Sequence, residues 1–550
     1  MRTTIKKTIS LLLALIMTCS VFLMTACQEN NNNNGNENGD DGENNNPSAE
    51  PMADPVDDNY RTFYQIFVGS FSDGNGDGIG DLHGIIKHLD YLNDGDINSG
   101  NDLGVQGIWL SPIFSSPSYH KYDAKDYYEI DWRFGTMETL KKLVDKCHER
   151  NVKVILDLVI NHTSSQHHWF KEFINARMSG DTENKYYDYY TAVTTAEKKG
   201  GTIYQKIAGV DYWFECNFSG DMPELNYDNP EVREEMLNVA KYYLDLGVDG
   251  FRFDAVKYIY FGDAERSVDF WKWYMDELTA YAPDIYCVGE CWSAESEILE
   301  YYEAMNCFNF GISGAESVVA NVAKSGSIGG FLNYIIRYQK AVKGANPNGM
   351  PIQFLSNHDQ DRIAGAFIVP AAMKIAASMY LLSPGSPFIY YGEEIGLRGS
   401  RGGEMTDANR RLAMRWGDGD LIKNPEGSTY PDSKQISTTV TSQLEDPTSL
   451  LNHYSKLINL RSRYAAIARG EYTAIKTSKS DVGGFLVQYE GDTIGIIHNV
   501  SSKAITVDLA KSAALSEYMF EAVLECVGEG SATLDGTTLT IDGYTSIILK

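Results

Sequence analysis

Positive charge is in short supply in this chain. In 550 residues, 47 lysines and arginines face 75 aspartates and glutamates, a formal net charge of −28 at pH 7. No Lys/Arg-rich stripe interrupts that field, which argues against nucleic acid and anionic membrane surfaces and leaves a neutral ligand as the better match. Cysteine is scarce too, with eight residues, and their spacing fits no zinc pattern such as a repeated CxxC. Several of the six beyond Cys27 (Cys147, Cys216, Cys287, Cys291, Cys307 and Cys526) lie in apolar runs, where a thiol acts as a small hydrophobe. Apolar residues are nearly absent after Cys27: the stretch NNNNNGNENGDDGENNN cannot bury enough surface to fold, so 28–58 reads as a disordered tether.

What is present points to a large exported protein. A composition of 43% hydrophobic and 12% aromatic residues suffices for one big domain with smaller appendages. Arg2, Lys6 and Lys7 precede an uncharged stretch from Thr8 to Gln28, the pattern of an export signal over 1–27. Its end, Thr25-Ala26-Cys27, resembles a bacterial lipobox, which implies lipid on Cys27 and a place on the extracellular face of the cell membrane. The alternative is an uncleaved anchor, since a span needs about 20 apolar residues. In both readings the membrane is met only through the N-terminus.

After Tyr60, short β-rich runs alternate with amphipathic stretches. The runs are FYQIFVGSF (63–71), VQGIWLSP (105–112), VKVILDLVINH (152–162), VDGFRFD (248–254), IYCVGE (285–290), MNCFNFGIS (305–313), PIQFLSNHD (351–359) and PFIYYGEE (387–394). Near-continuous apolar strands separated by helices predict a parallel sheet covered on both faces, and eight such units close a (β/α)8 TIM barrel in the α/β class. Between them, METLKKLVDKCHER (137–150) places Leu140, Leu143, Val144 and Cys147 on one helical face. The barrel is expected over 59–468, with a small inserted domain after strand 3 at about 163–225. From 469 to 550 the pattern changes to short alternating strands, a C-terminal antiparallel β-domain.

Asp254, Glu290 and Asp359 each stand at the C-terminal end of an apolar run. In a TIM barrel those ends converge on one face, where active sites are built from several strands. Arg252 precedes Asp254 by two residues and therefore shares its face of the strand; its charge favours an ionised Asp254 and leaves Glu290 as the carboxyl with the raised pKa. A second cluster, DGNGDGIGDL (73–82), offers side-chain oxygens at Asp73, Asn75, Asp77 and Asp81 with glycines between them. It reads as a calcium loop that begins like an EF-hand, but it reaches Gly84 where the closing Glu would stand. The other reading is a plain Gly/Asp turn cluster.

Four segments, DLVINH (157–162), GFRFDAVKY (250–258), GECW (289–292) and FLSNHD (354–359), occur in the order found in the α-amylase family, glycoside hydrolase family 13, which the chain resembles from about Tyr60 to Lys550. The resemblance implies a retaining glycosidase with Asp254 as nucleophile, Glu290 as acid/base and Asp359 as transition-state stabiliser, and makes Asp157 structural. It places His162 and His358 on the hydroxyls of the cleaved sugar, Tyr122 stacked on that sugar, Arg252 beside it and Lys257 on the leaving-group side. The family's usual glycine before that tyrosine is Lys121, read here as narrowing the entrance. The backbone carbonyl of Ile79 completes the calcium loop in relatives, where the ion's role is structural. MPELN (222–226) resembles the MPDLN signature of a subgroup that includes lipid-anchored bacterial α-amylases, with Glu224 in place of Asp. The implied substrate is starch or maltooligosaccharide cut internally at α-1,4 bonds by a monomer, with Trp169, Tyr212, Trp213 and Phe214 expected as aromatic platforms or, for at least half of them, as the inserted domain's own core. An α-glucosidase, a neopullulanase-type or transglycosylating enzyme, and a non-catalytic starch-binding protein remain as alternatives.

Overall fold

The computed structural model describes residues 59–550 except Asn98, Glu404 and Asp418. The export signal and the tether lie outside the described residues.

Eight strands form one sheet: β1 Phe63–Ile66, β2 Gly107–Leu110, β3 Lys153–Leu158, β4 Gly250–Phe253, β5 Tyr286–Gly289, β6 Asn306–Cys307, β7 Ile352–Phe354 and β8 Ser386–Tyr390. Every pairing is parallel and joins neighbours in chain order, with β8 returning to β1. A parallel bridge between Phe308 and Ile352 joins the β6 and β7 sides and closes the barrel. The expected runs are longer than the strands because each run continues past its last paired residue into the loop that builds the mouth.

Period-2 alternation explains the packing. Phe63, Trp109, Ile155, Tyr286, Val288, Phe308, Phe354 and Phe388 fill the barrel interior as one cluster, and Phe63 stacks on Phe388 with ring centres 4.8 Å apart. Their strand neighbours Tyr64, Ile108, Leu110, Val154, Leu156 and Phe251 belong to the larger cluster under the helices. The helix Met137–His148 shows how the outer layer is held. Thr136 caps it through a capping box with Thr139, and Leu140, Leu143, Val144 and Cys147 are all buried. All six cysteines among the described residues are free thiols, five of them buried.

Two additions flank the barrel. Between β3 and β4 lie the helix His168–Ser179 and a three-stranded antiparallel sheet, Ala192–Val193, Trp213–Glu215 and Tyr204–Lys206. From Glu471 onward the chain is β-rich, with a five-stranded and a three-stranded antiparallel sheet. Among the described residues no helix is long and apolar enough to cross a membrane.

One glycine is dictated by close approach. Gly250 opens β4 at φ 154°, and a Cβ there would lie 1.8 Å from the Tyr286 carbonyl oxygen of β5. Gly250→Ala is therefore expected to destabilise the fold by about 3 kcal/mol, read as a lower urea midpoint with unchanged slope. An unaltered midpoint would mean that β4 and β5 separate more freely than this contact implies.

Candidate active site

The strand ends carry the polar residues that the sequence places there. β4 runs from Gly250 through Arg252 to Asp254 on its inward face, and the parallel register sets Arg252 beside Asp157 of β3 and Val288 of β5. Arg252 is fully buried. Its Nη1 lies 2.8 Å from Asp157 Oδ1 and 2.7 Å from Asp254 Oδ1, and its Nη2 lies 3.7 Å from Glu290 Oε2. Immediately after Asp254 the chain turns through a left-handed conformation at Ala255, φ 50°, which costs on the order of 1–3 kcal/mol for a residue with a side chain. The turn aims the Ala255 N–H at Glu290 Oε2, 3.1 Å away.

The carboxyl groups are not equivalent. Burial pushes Glu290 up to about 8; Arg252 opposes the shift, and the negative charges of Asp254 and Asp359 add to it. Asp157 is raised to about 6 by burial against the pull of Arg252. Asp359 goes the other way: burial would raise it, but His358, Arg411 and Arg252 hold it well below the carboxylate range. Arg411 Nη2 donates to Asp359 Oδ1 at 2.7 Å, and His358 Nε2 lies 3.1 Å from Asp359 Oδ2.

The predicted sugar-binding residues assemble around this network. Gln65 Nε2 donates to His358 Nδ1 at 2.7 Å, which leaves Nε2 as the hydrogen-bearing nitrogen facing Asp359. The Tyr122 hydroxyl donates to Asp157 Oδ2 at 2.8 Å and lies 2.5 Å from His358 Nε2. Its ring is parallel to the His358 ring, 6° apart in plane with centres at 5.2 Å. His162 is 2% exposed; its Nε2 donates to the Tyr122 carbonyl at 3.2 Å, and burial lowers its pKa. Lys257 Nζ donates to the Trp292 carbonyl at 2.8 Å.

Two cavities meet at Asp254 and Asp359. One of about 420 Å³ is lined by Tyr122, His162, Met222 and Arg411; the other, of about 570 Å³, by Glu290, Lys257, Tyr258, Trp292 and Arg410. Phe218 borders both. A third cavity of about 610 Å³ is lined by Gln106 and Asn151, which precede β2 and β3 at the opposite end of the barrel, and it holds none of these carboxylates.

Several residues depart from the sequence reading. Lys121 does not narrow the entrance: its side chain is 2% exposed and turned inward to Asp131. Trp169 and Phe214 are buried among Tyr189 and Phe170, and Tyr212 and Trp213 lie against Arg177 and Lys198. None of the four lines either cavity: Trp169 and Phe214 take the core reading of the inserted fold, and Tyr212 and Trp213 are half-buried against those cations. The Phe, Tyr and Trp side chains that line the cavities are Tyr119, Tyr122, Phe218, Tyr258 and Trp292. The sequence reading also missed Arg410 and Arg411, which follow β8 by some twenty positions in an irregular loop with no periodic signal; the only available clue was the adjacent pair itself.

In the 73–81 loop, Asp73 accepts N–H groups of Asn75, Gly76 and Gly78, Asn75 that of Asp77, Asp77 that of Ile79, and Asp81 those of Gly74 and Gly84. A Cβ on Gly74 would meet Asp81 Oδ1 at 2.7 Å, so the turn closes tightly around its oxygens, a donor set of the hard type calcium takes. Among the described residues, no three Asp, Glu, His or Cys side chains are gathered as a metal cage.

A barrel mouth with one carboxyl kept protonated beside two held by arginine defines an enzyme of acid/base carboxylate chemistry. The model of the family described as alpha amylase, catalytic domain, matches residues 65–470. The chain belongs to the α-amylase family of glycosidases. It is 38% identical over 426 residues to Alpha-amylase 3 of Dictyoglomus thermophilum, covering 76% of this chain and 80% of that protein. Among solved structures, Eubacterium rectale Amy13B superposes with a TM-score of 0.81 at 34% identity, covering 90% of this chain and 95% of the other. An α-amylase from H. orenii does so at 0.77 and 34%, covering 90% and 99%.

The Glu290 proton sets a pH test. A general acid works only while protonated, and its free-enzyme pKa appears in kcat/KM. With Glu290 raised to about 8, kcat/KM is expected to hold up to about that pH and then fall about tenfold per unit. A profile flat well above that value would remove this proton from the rate.

Proposed function

We propose that the protein hydrolyses internal α-1,4-glucosidic bonds of starch-like glucans with retention of configuration. The observation that carries this reading is the pairing of Asp254, 2.7 Å from the Arg252 guanidinium, with a Glu290 whose carboxyl is kept protonated to about pH 8. In the first step Asp254 attacks the anomeric carbon as Glu290 gives its proton to the departing glycosidic oxygen. In the second, the Glu290 carboxylate takes a proton from water as that water displaces Asp254. Asp359, His358 and His162 bind the sugar on the glycone side, where Tyr122 stacks, and Lys257 binds on the leaving-group side. Cavities on both sides of Asp254 support binding of a chain that runs through the site. The matched relatives named α-amylases support the same substrate class.

Asp254→Asn is expected to abolish nearly all turnover on starch while folding and glucan binding stay close to normal. On the parent protein, starch viscosity and iodine staining should collapse before much reducing sugar appears, with mixed maltooligosaccharides as products. Glucose as the only early product, with slowly falling viscosity, would replace this reading by an α-glucosidase.

The proposal extends to calcium, held by Asp73, Asn75, Asp77, Asp81 and the Ile79 carbonyl, where it supplies structural stability away from the transferred bond. Chelator is expected to lower the melting temperature more than substrate affinity, because an ion bound to the folded state stabilises it by mass action. An unchanged melting temperature and no calcium in the purified protein would reject the site. MPELN supports placement in the subgroup marked by MPDLN. The residues up to Cys27 support a lipid-anchored protein on the outer face of the cell membrane.

A further inference from the structure

Lys121 carries two costs in one residue. Its backbone is left-handed, φ 65°, a conformation that suits glycine and strains a residue with a Cβ. Its ammonium is desolvated in a side chain 2% exposed. Both fall immediately before Tyr122, and strain of this kind collects where a functional group has to be held.

The cation is spent on one partner. Lys121 Nζ lies 2.7 Å from Asp131 Oδ2, itself 2% exposed. It also lies 3.4 Å from the Ser116 carbonyl and 5.6 Å from the centre of the Phe134 ring. Asp131 directly follows the strand Asp126–Ile130, where its own N–H is bonded to Ile113. Its carboxylate accepts the N–H groups of Ser116 at 3.4 Å and Arg133 at 3.2 Å. One carboxylate therefore ties the start of the 116–123 loop to the end of the strand after it, and Lys121 brings the middle of the loop to the same point. Tyr122, the next residue, is fixed on its other side by Asp157 and His358 through its hydroxyl and by His162 through its carbonyl.

We infer that the buried Lys121–Asp131 ion pair positions Tyr122 against the glycone side of the active site. Lys121 is a positioning residue: it lines neither cavity at the catalytic carboxylates and acts through the tyrosine. The pair fixes the height of the Tyr122 ring relative to Asp157, and so relative to the Arg252 network on which Asp254 depends. The inference rests on the proposed glycosidase reading, since it assigns Tyr122 to the sugar being cleaved.

Lys121→Gly alone strands Asp131 without its cation and is expected to lower stability, so the deciding variant is Lys121→Gly with Asp131→Asn. It removes both charges and the backbone strain together. Its melting temperature should stay within a few degrees of the parent, while kcat on maltotriose falls about tenfold or more and KM changes by less than about threefold. Tyr122→Phe should then cost much less in this background than in the parent, because its alignment is already lost. A double variant with parental kcat, or an equal cost of Tyr122→Phe in both backgrounds, overturns the inference. A parent without activity on maltooligosaccharides would instead refute the proposed function.

Discussion

The Arg252 guanidinium is buried in the barrel mouth, where water cannot balance its charge, and the geometry of the site follows from the groups that do. Asp157 and Asp254 share its Nη1, and Glu290 lies against its Nη2. Removing one partner of a buried pair of this kind costs about 3–5 kcal/mol, because the remaining charge stays desolvated. The carboxylates are thus parts of one network. Asp157 extends that network to Trp109 and Tyr122, whose N–H and hydroxyl both donate to its Oδ2, so the hydroxyl end of Tyr122 is tied to the same arginine.

The buried glutamates behind β8 show what the arginines accomplish. Glu393 is buried with no cation paired to it among the described residues; it accepts hydrogen bonds from Tyr380 and Tyr454, and burial pushes it up to about 8. It serves as a neutral hydrogen-bond group that also reaches Ser356, at the start of the loop carrying His358 and Asp359. Asp359 is the opposite case, with Arg411 against its carboxylate and a pKa held low. The same functional group is a neutral brace at Glu393 and a fixed anion at Asp359. The difference is the presence of His358 and then of guanidinium groups beside Asp359.

The loops divide the labour differently from the strands. Arg410 and Arg411 reach back some fifty positions to the Asp359 and His358 carbonyls, and Phe218 comes from the inserted segment to border both cavities. These residues complete the mouth from outside the barrel strands, Arg410 and Arg411 at the end of a single 3-10 turn, Ala408–Arg410. Their placement depends on where the loops land after the barrel has closed. The inserted segment is the reverse case: Trp169 and Phe214 looked available for ligand, and a small fold with little interior used them as core.

The sequence by itself determined the eight strand–helix units and, through their count, the barrel. It also determined that Arg252 and Asp254 point the same way. Those properties follow from near-continuous apolar runs separated by helices and from a spacing of two residues, both legible along the chain. The protonation of Glu290, the seat of Lys121 on Asp131, the arginines on Asp359 and the fate of the aromatics were decided only by the tertiary structure. Each depends on burial and on a partner from another part of the chain. Desolvation and Coulomb energy are set by what lies within a few ångströms in space, whatever the distance in sequence.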